Sequence, residues 1–207
     1  MAGATAVDCI LLAAGASARM GQPKLLLPLG NATILDVVLA SHLASSLGRI
    51  CAVVPGWLAG FRDLAVKAKG GRLELVEMRE PGPMSASLKA GWEWVVRTGK
   101  PDGIMISLAD KPLVTAATID SMIEFYGSAG GAICVPAYHG RRGHPVILSP
   151  RLGPEIMALE GDRGAIDIMT ADPGRVVEIE VASDGVILDV DTAEDVAALR
   201  ARLGLNG

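Results

Sequence analysis

Residues 7–24 read Val7-Asp8-Cys9-Ile10-Leu11-Leu12-Ala13-Ala14-Gly15-Ala16-Ser17-Ala18-Arg19-Met20-Gly21-Gln22-Pro23-Lys24. The first seven, Val7–Ala13, are a short apolar run closed by small residues, the mark of a buried strand. Gly15–Gly21 reads as a loop. Working outward, the same change of pattern recurs down the chain. Strands are predicted at Arg49–Val54, Arg72–Val76, Gly103–Leu108, Ala132–Pro136, Pro145–Leu148 and Arg175–Val181. Helices are predicted at Thr33–Leu47, Met84–Val96, Thr115–Phe125, Pro154–Leu159, Ala165–Met169 and Thr192–Arg202, with a weaker one over Trp57–Lys67. In the first helix Ile34, Val37, Val38 and Leu43 are available for the buried face; in the second, Leu88, Gly91, Trp92 and Val95. Continuous apolar strands alternating with helices imply an α/β domain with a mostly parallel sheet. No repeat, low-complexity segment or linker interrupts it, so residues 1–207 read as one domain. In such sheets ligands bind beyond the carboxyl ends of the strands. That directs attention to the loops after Leu12 and Leu108.

Composition narrows the class. Half of the 207 residues are hydrophobic and a fifth are charged, enough apolar surface to exclude a disordered chain. A net charge of -4 argues against a nucleic-acid partner, which would call for a basic face. Cys9, Cys51 and Cys134 are far apart, form no CxxC pair and lie in apolar runs, so they read as buried reduced thiols. That is the pattern of a cytoplasmic protein. No apolar run approaches the ~20 residues needed to span a membrane. Ala6–Ala14 contains Asp8 and has no basic segment before it, so it reads as a strand and not as a signal peptide.

The first loop carries the chemistry. Small residues let a backbone approach a ligand closely, and their N–H groups can cradle phosphate oxygens. Arg19 offers a planar fork for phosphate and Lys24 a mobile point charge. The plain alternative is a strand-to-helix turn with solvated charges. Neither GxGxxG nor GxxxxGK[ST] is present, which weighs against dinucleotide binding and a P-loop ATPase.

The stretch LAAGASARMGQPKLLLPLG resembles the signature loop LAxGxSxRMGxxK of the nucleotidyltransferase superfamily that includes the molybdenum cofactor guanylyl- and cytidylyltransferases. Five further stretches match that superfamily in order: Met84–Gly91, Leu108–Pro112, Gly140–Val146, Gly161–Ala165 and Asp189–Asp195. They are similar to its GMSxSLxAG, LADQP, GxRGHPV, GDxGA and DxDTPED. The resemblance runs from about residue 8 to 199. It implies a three-layer Rossmann-like nucleotidyltransferase domain. It departs at Pro83, where Gly is usual, and at Lys111, where Gln is usual; Lys111 adds a cation beside the expected metal site.

Asp110 follows an apolar strand at the end where a phosphate loop would face it, and Mg²⁺ is held by few carboxylates plus water and substrate phosphates. Its plain alternative is a turn cap before Pro112. Asp191 is the second expected ligand by resemblance, with Asp189 on the same face as the other candidate and helix capping as the plain alternative. Leu12, Ala13, Ala14, Gly15, Arg19, Lys24 and Ser87 are expected to bind nucleotide. Ser85, Arg142, Gly143 and His144 are expected to bind the acceptor, N-capping being the plain alternative for both serines.

The reaction implied is attack of an acceptor phosphate on the α-phosphorus of an NTP, with pyrophosphate leaving. Arg19, Lys24 and Asp110 are the expected catalytic residues, acting by positioning and charge neutralisation. By resemblance the acceptor is molybdopterin, the cofactor Mg²⁺, and the user of the product a molybdenum hydroxylase met transiently. Ala13-Ala14-Gly15 follows the cytosine-type LAAG pattern in place of the guanine-type LAGG, so CTP is the expected donor. Alternatives left open are GTP or another small phosphate, an oxidoreductase role like that of a related chain in nicotine-pigment catabolism, and a non-catalytic chaperone for the cofactor.

Overall fold

The computed structural model describes residues 5–14, 23–61, 71–162 and 164–205. The sheet is built from β1 (Val7–Leu12), β4 (Ile50–Pro55), β5 (Leu73–Met78), β6 (Gly103–Leu108), β7 (Ile133–Tyr138), β8 (Arg141–Arg142), β9 (Val146–Leu148) and β10 (Val176–Glu180). Its order is β10-β7-β9-β6-β1-β4-β5, with β8 paired to β7. The pairs β6·β1, β1·β4, β4·β5 and β10·β7 are parallel, while β9 runs antiparallel to both β6 and β7. The sheet is therefore mostly parallel, as the unbroken apolar runs require.

Successive strand residues point to opposite faces, and both faces are covered. Leu11 and Met105 pack on one side with α1 (Ile34–Ala44), α3 (Ala116–Ala129) and α6 (Ala193–Arg202). Ile10, Ile104 and Ile106 pack on the other with α2 (Met84–Thr98), α4 (Gly153–Ala158) and α5 (Ile166–Ala171). Helix–sheet–helix makes three layers. The predicted face of α2 is confirmed: Leu88, Gly91, Trp92 and Val95 are buried. A Cβ on Gly91 would lie 2.4 Å from Cγ2 of Ile10, so the helix approaches the sheet more closely there than any side chain permits. In α1 the buried set is Ile34, Leu35, Val38, Leu39 and His42. Val37 and Leu43, expected on that face, are only half-buried, because the i, i+1, i+4, i+5, i+8 row turns them to its edge. Asp8, the charge inside β1, is paired with Arg49 and also accepts from the Arg49 amide at 2.8 Å.

A small hairpin, β2 (Pro28–Leu29) and β3 (Ala32–Thr33), was not expected. Its signal was the two-residue Gly30-Asn31 link, with Gly30 at φ +66. Of the weak helix over Trp57–Lys67, a 3₁₀ turn over Gly56–Phe61 is seen and the remainder lies outside the described residues. No helix among the described residues is long and apolar enough to cross a membrane.

His42 is fully buried, its Nδ1 2.8 Å from the Val38 carbonyl and its Nε2 2.8 Å from Ser107 Oγ. The carbonyl can only accept, so Nδ1 carries the proton and Nε2 accepts from the serine. Burial lowers the imidazole pKa to about 4, and the Val38 hydrogen bond offsets only part of that. The unfolded chain takes up this proton near pH 6.5 and the folded one does not until about pH 4. Stability is therefore fully present above pH 6.5 and declines as pH falls through that window. Between pH 7 and 5 the His42 share is about 2 kcal/mol. Urea denaturation should show this decline, to which His144, with a pKa likewise lowered to about 4, adds a like share, and His42→Phe should remove about half of the total; an unchanged slope would mean that His42 is not a buried neutral imidazole.

Candidate active site

From β1 the chain crosses to β4 and β5 on one side and then returns through α2 to β6 on the other. β1 and β6 are neighbours, with Leu12 opposite Leu108. Such a reversal of strand order opens a crevice at the carboxyl ends. The backbone pairing continues past the strands: the Ala109 amide donates to the Leu12 carbonyl at 3.0 Å, and the Ala13 amide to Val53 at 2.9 Å. Two adjoining chambers of about 780 and 620 Å³ open there, sharing Leu12, Met84, Leu108 and Asp162.

The larger chamber is lined by Leu12, Ala13, Ala14, Lys24, Ser87 and Asp110, together with Pro81–Pro83. Lys24 opens a 3₁₀ turn (Lys24–Leu26) whose Leu25 is buried. Its Nζ donates to Asp110 Oδ2 at 2.8 Å and to Asp191 Oδ1 at 2.7 Å. Burial works to lower the lysine pKa, but the two carboxylates outweigh it and the net shift is upward. Asp191 is brought in by the start of α6. Thr192 and Asp195 form a capping box there, and the Asp191 amide donates to Asp195 Oδ2 at 3.0 Å. Thr192, not Asp191, thus caps the helix. The Val190 amide donates to the Asp110 carbonyl at 2.9 Å, which joins the two acidic segments directly. Arg200 of α6 donates to the Pro28 carbonyl at 2.7 Å, so the C-terminal helix also holds the hairpin that follows Lys24.

Burial lowers the pKa of Lys111, and the Asp189, Asp110 and Asp191 carboxylates oppose that shift.

The smaller chamber is lined by Arg142, Gly143 and His144 against Leu88, Val135 and Met169. Arg142 is exposed, and its Nε and Nη2 donate to Glu178 Oε1 at 2.8 and 2.6 Å. Gly143 is required by proximity: a Cβ there would lie 2.2 Å from the Val186 carbonyl. Burial, helped by the Lys111 charge, lowers the His144 pKa to about 4. Its Nδ1 is buried and has no hydrogen-bond partner among the described residues.

Ser85 and Ser87 part company. Ser87 lines the larger chamber, whereas Ser85, expected at the acceptor, is buried and lines neither. Met84, Ser87 and Leu88 share one helix face at i, i+3, i+4, and Ser85 falls off it. Neither serine caps α2, whose N-cap is Pro83. Asp162 takes that role, its Oδ1 accepting from the Met84 amide at 2.8 Å. Asp162 lies within one of the matched stretches, but no local pattern marks a cap supplied from 78 residues away. Gly15 and Arg19 lie outside the described residues.

Among the described residues no three or more His, Cys, Asp or Glu side chains form a ready-made metal site. Mg²⁺ does not need one, since it is held by one or two carboxylates with water and phosphates. Asp110 Oδ1 is buried without a hydrogen-bond partner among the described residues. A second carboxylate, Asp191, shares the same lysine. This donor set fits a hard divalent cation.

The MobA-like NTP transferase domain model matches residues 9–176. The chain belongs to this family. As a MobA-like NTP transferase it is a nucleotidyltransferase, and a nucleoside triphosphate is the substrate that fits the family. It is 28% identical to the purine catabolism protein PucB of Bacillus subtilis over 92% of this chain and 94% of that protein. It is 25% identical to the molybdenum cofactor cytidylyltransferase of Escherichia coli, over 96% and 97%. Among solved structures it is similar to Rv0371C of Mycobacterium tuberculosis in complex with manganese. The TM-score is 0.71 and the identity 26%, over 96% of this chain and 99% of that one. In this MobA-like domain the larger chamber holds the predicted nucleotide residues that are described, and the smaller one holds three of the four predicted acceptor residues.

Proposed function

We propose that the chain transfers the nucleotide of an NTP, CTP in preference, to the phosphate of a molybdopterin-type acceptor. The observation that carries this reading is Lys24 bridging Asp110 and Asp191 on the wall of the larger chamber. An oxygen of the acceptor phosphate bonds to the α-phosphorus, and the bond from that phosphorus to the pyrophosphate oxygen breaks. Lys24 neutralises charge that develops on the α-phosphate and the departing pyrophosphate. Arg142 and His144 orient the acceptor from the smaller chamber. No side-chain nucleophile is required, and an acceptor phosphate is already ionised near neutral pH. Asp110 and Asp191 would hold Mg²⁺, which when bound offsets the negative charge of the reacting phosphates. The likeness to a manganese-bound relative and to a cytidylyltransferase supports these assignments.

The test is a panel of NTPs with purified molybdopterin and Mg²⁺, read by pyrophosphate release. CTP should outcompete GTP. Ala14 lines the chamber, and its methyl group narrows the space beside a base. Ala14→Gly should therefore relax or reverse the preference. A wild-type preference for GTP would sink the assignment of the base while leaving the chemistry intact. Pyrophosphate release with none of the four NTPs would sink the acceptor assignment.

A further inference from the structure

Lys111 is 6% exposed and directly follows Asp110. The Val190–Asp110 backbone hydrogen bond places the Asp189–Asp191 segment alongside it. Asp189, Asp110 and Asp191 all act on its ammonium, and Lys24 acts on it as a like charge. Lys24 and Lys111 thus interact with an overlapping set of carboxylates. Lys24 bridges two of those carboxylates on the chamber wall. Lys111 lines neither chamber.

We propose that Lys111 sets the affinity of the carboxylate site for a divalent cation. Its ammonium keeps that affinity low in the nucleotide-free protein, so that cation and triphosphate are taken up together. The inference rests on the reading of Asp110 and Asp191 as cation ligands. An ammonium beside the carboxylates offsets part of their pull on an entering divalent ion. The ion must also give up tightly held water. A triphosphate supplies the missing negative charge. Neutralising Lys111 removes that offset and strengthens the pull of the protein alone. At short range in a partly screened site, one such charge changes affinity on the order of tenfold.

Mn²⁺ is the probe, with free Mn²⁺ measured by its paramagnetic resonance in the presence of nucleotide-free protein and then with CTP added. Lys111→Gln and Lys111→Met should bind Mn²⁺ alone on the order of tenfold more tightly than wild type. Lys111→Arg, which keeps the charge, should match wild type. CTP should tighten Mn²⁺ binding more in wild type than in the two neutral variants. Neutral variants that bind Mn²⁺ no more tightly than wild type overturn the proposal. Thermal melting accompanies each titration. If one neutral variant does not fold, the other decides; if neither folds, Lys111 is a structural cation and the proposal fails. Asp110→Asn separates the two levels of the argument. Should it leave Mn²⁺ binding with CTP unchanged, the cation-site reading itself fails. Should it abolish binding while the neutral Lys111 variants match wild type, only the inference about Lys111 fails.

Discussion

Asp110→Asn is expected to lower the rate of nucleotidyl transfer by on the order of 10²–10³ while leaving the fold intact. Asn preserves the shape of the side chain and removes its charge. The backbone carbonyl that accepts from the Val190 amide is untouched, so the join between β6 and the start of α6 persists. What is lost is the negative charge proposed to hold a hard cation, and one of the two ion pairs of Lys24. Turnover at limiting Mg²⁺, measured beside thermal melting, tests this. A variant that transfers nucleotide at nearly the wild-type rate under that limit would remove Asp110 from the metal site. The buried Oδ1 atom, without a hydrogen-bond partner among the described residues, would then need another explanation.

Lys24→Ala is expected to act mainly on kcat, because charge moves toward the departing pyrophosphate as the bond breaks. Loss of one such electrostatic donor costs about 2.7–4 kcal/mol, on the order of 10²–10³ in rate. Lys24→Arg should rescue poorly, since a planar guanidinium does not replace a compact ammonium between two carboxylates. The competing view makes Lys24 a solvated surface cation and predicts stability changes within about ±0.5 kcal/mol and no kinetic effect. The side chain is only 14% exposed and reaches both carboxylates, which is not the environment of a surface lysine. Steady-state kinetics with saturating acceptor decide between the two. Retention of most of kcat by Lys24→Ala would overturn the proposed mechanism.

The larger elements were legible because their signals are local. β6 spans Gly103–Leu108 as expected, since six apolar or small residues between a Pro-Asp pair and an Ala-Asp turn leave little else. Thr115 and Thr192 mark helix starts by accepting from the amide three residues on. The β2–β3 hairpin escaped notice because strands of two residues carry no periodicity to count. The cap that Asp162 provides for α2 escaped because it comes from another part of the chain.

By itself the sequence determined the succession of strands and helices, the apolar cover on both sheet faces and the small-residue loop with its cations. All of these are consequences of neighbouring side chains, and the motif spacing carried the family. The tertiary structure alone decided which charges meet. Lys24 lies 86 residues from Asp110 and 167 from Asp191, and only the reversal of strand order between β1 and β6, with α6 folded back on the hairpin, brings them together. Likewise Asp191 and Asp189 were equivalent along an extended segment. The Val190–Asp110 hydrogen bond and the capping box set the backbone from which Asp191 reaches Lys24. Coulomb interactions depend on distance through space, and that distance is written nowhere in the linear order of residues.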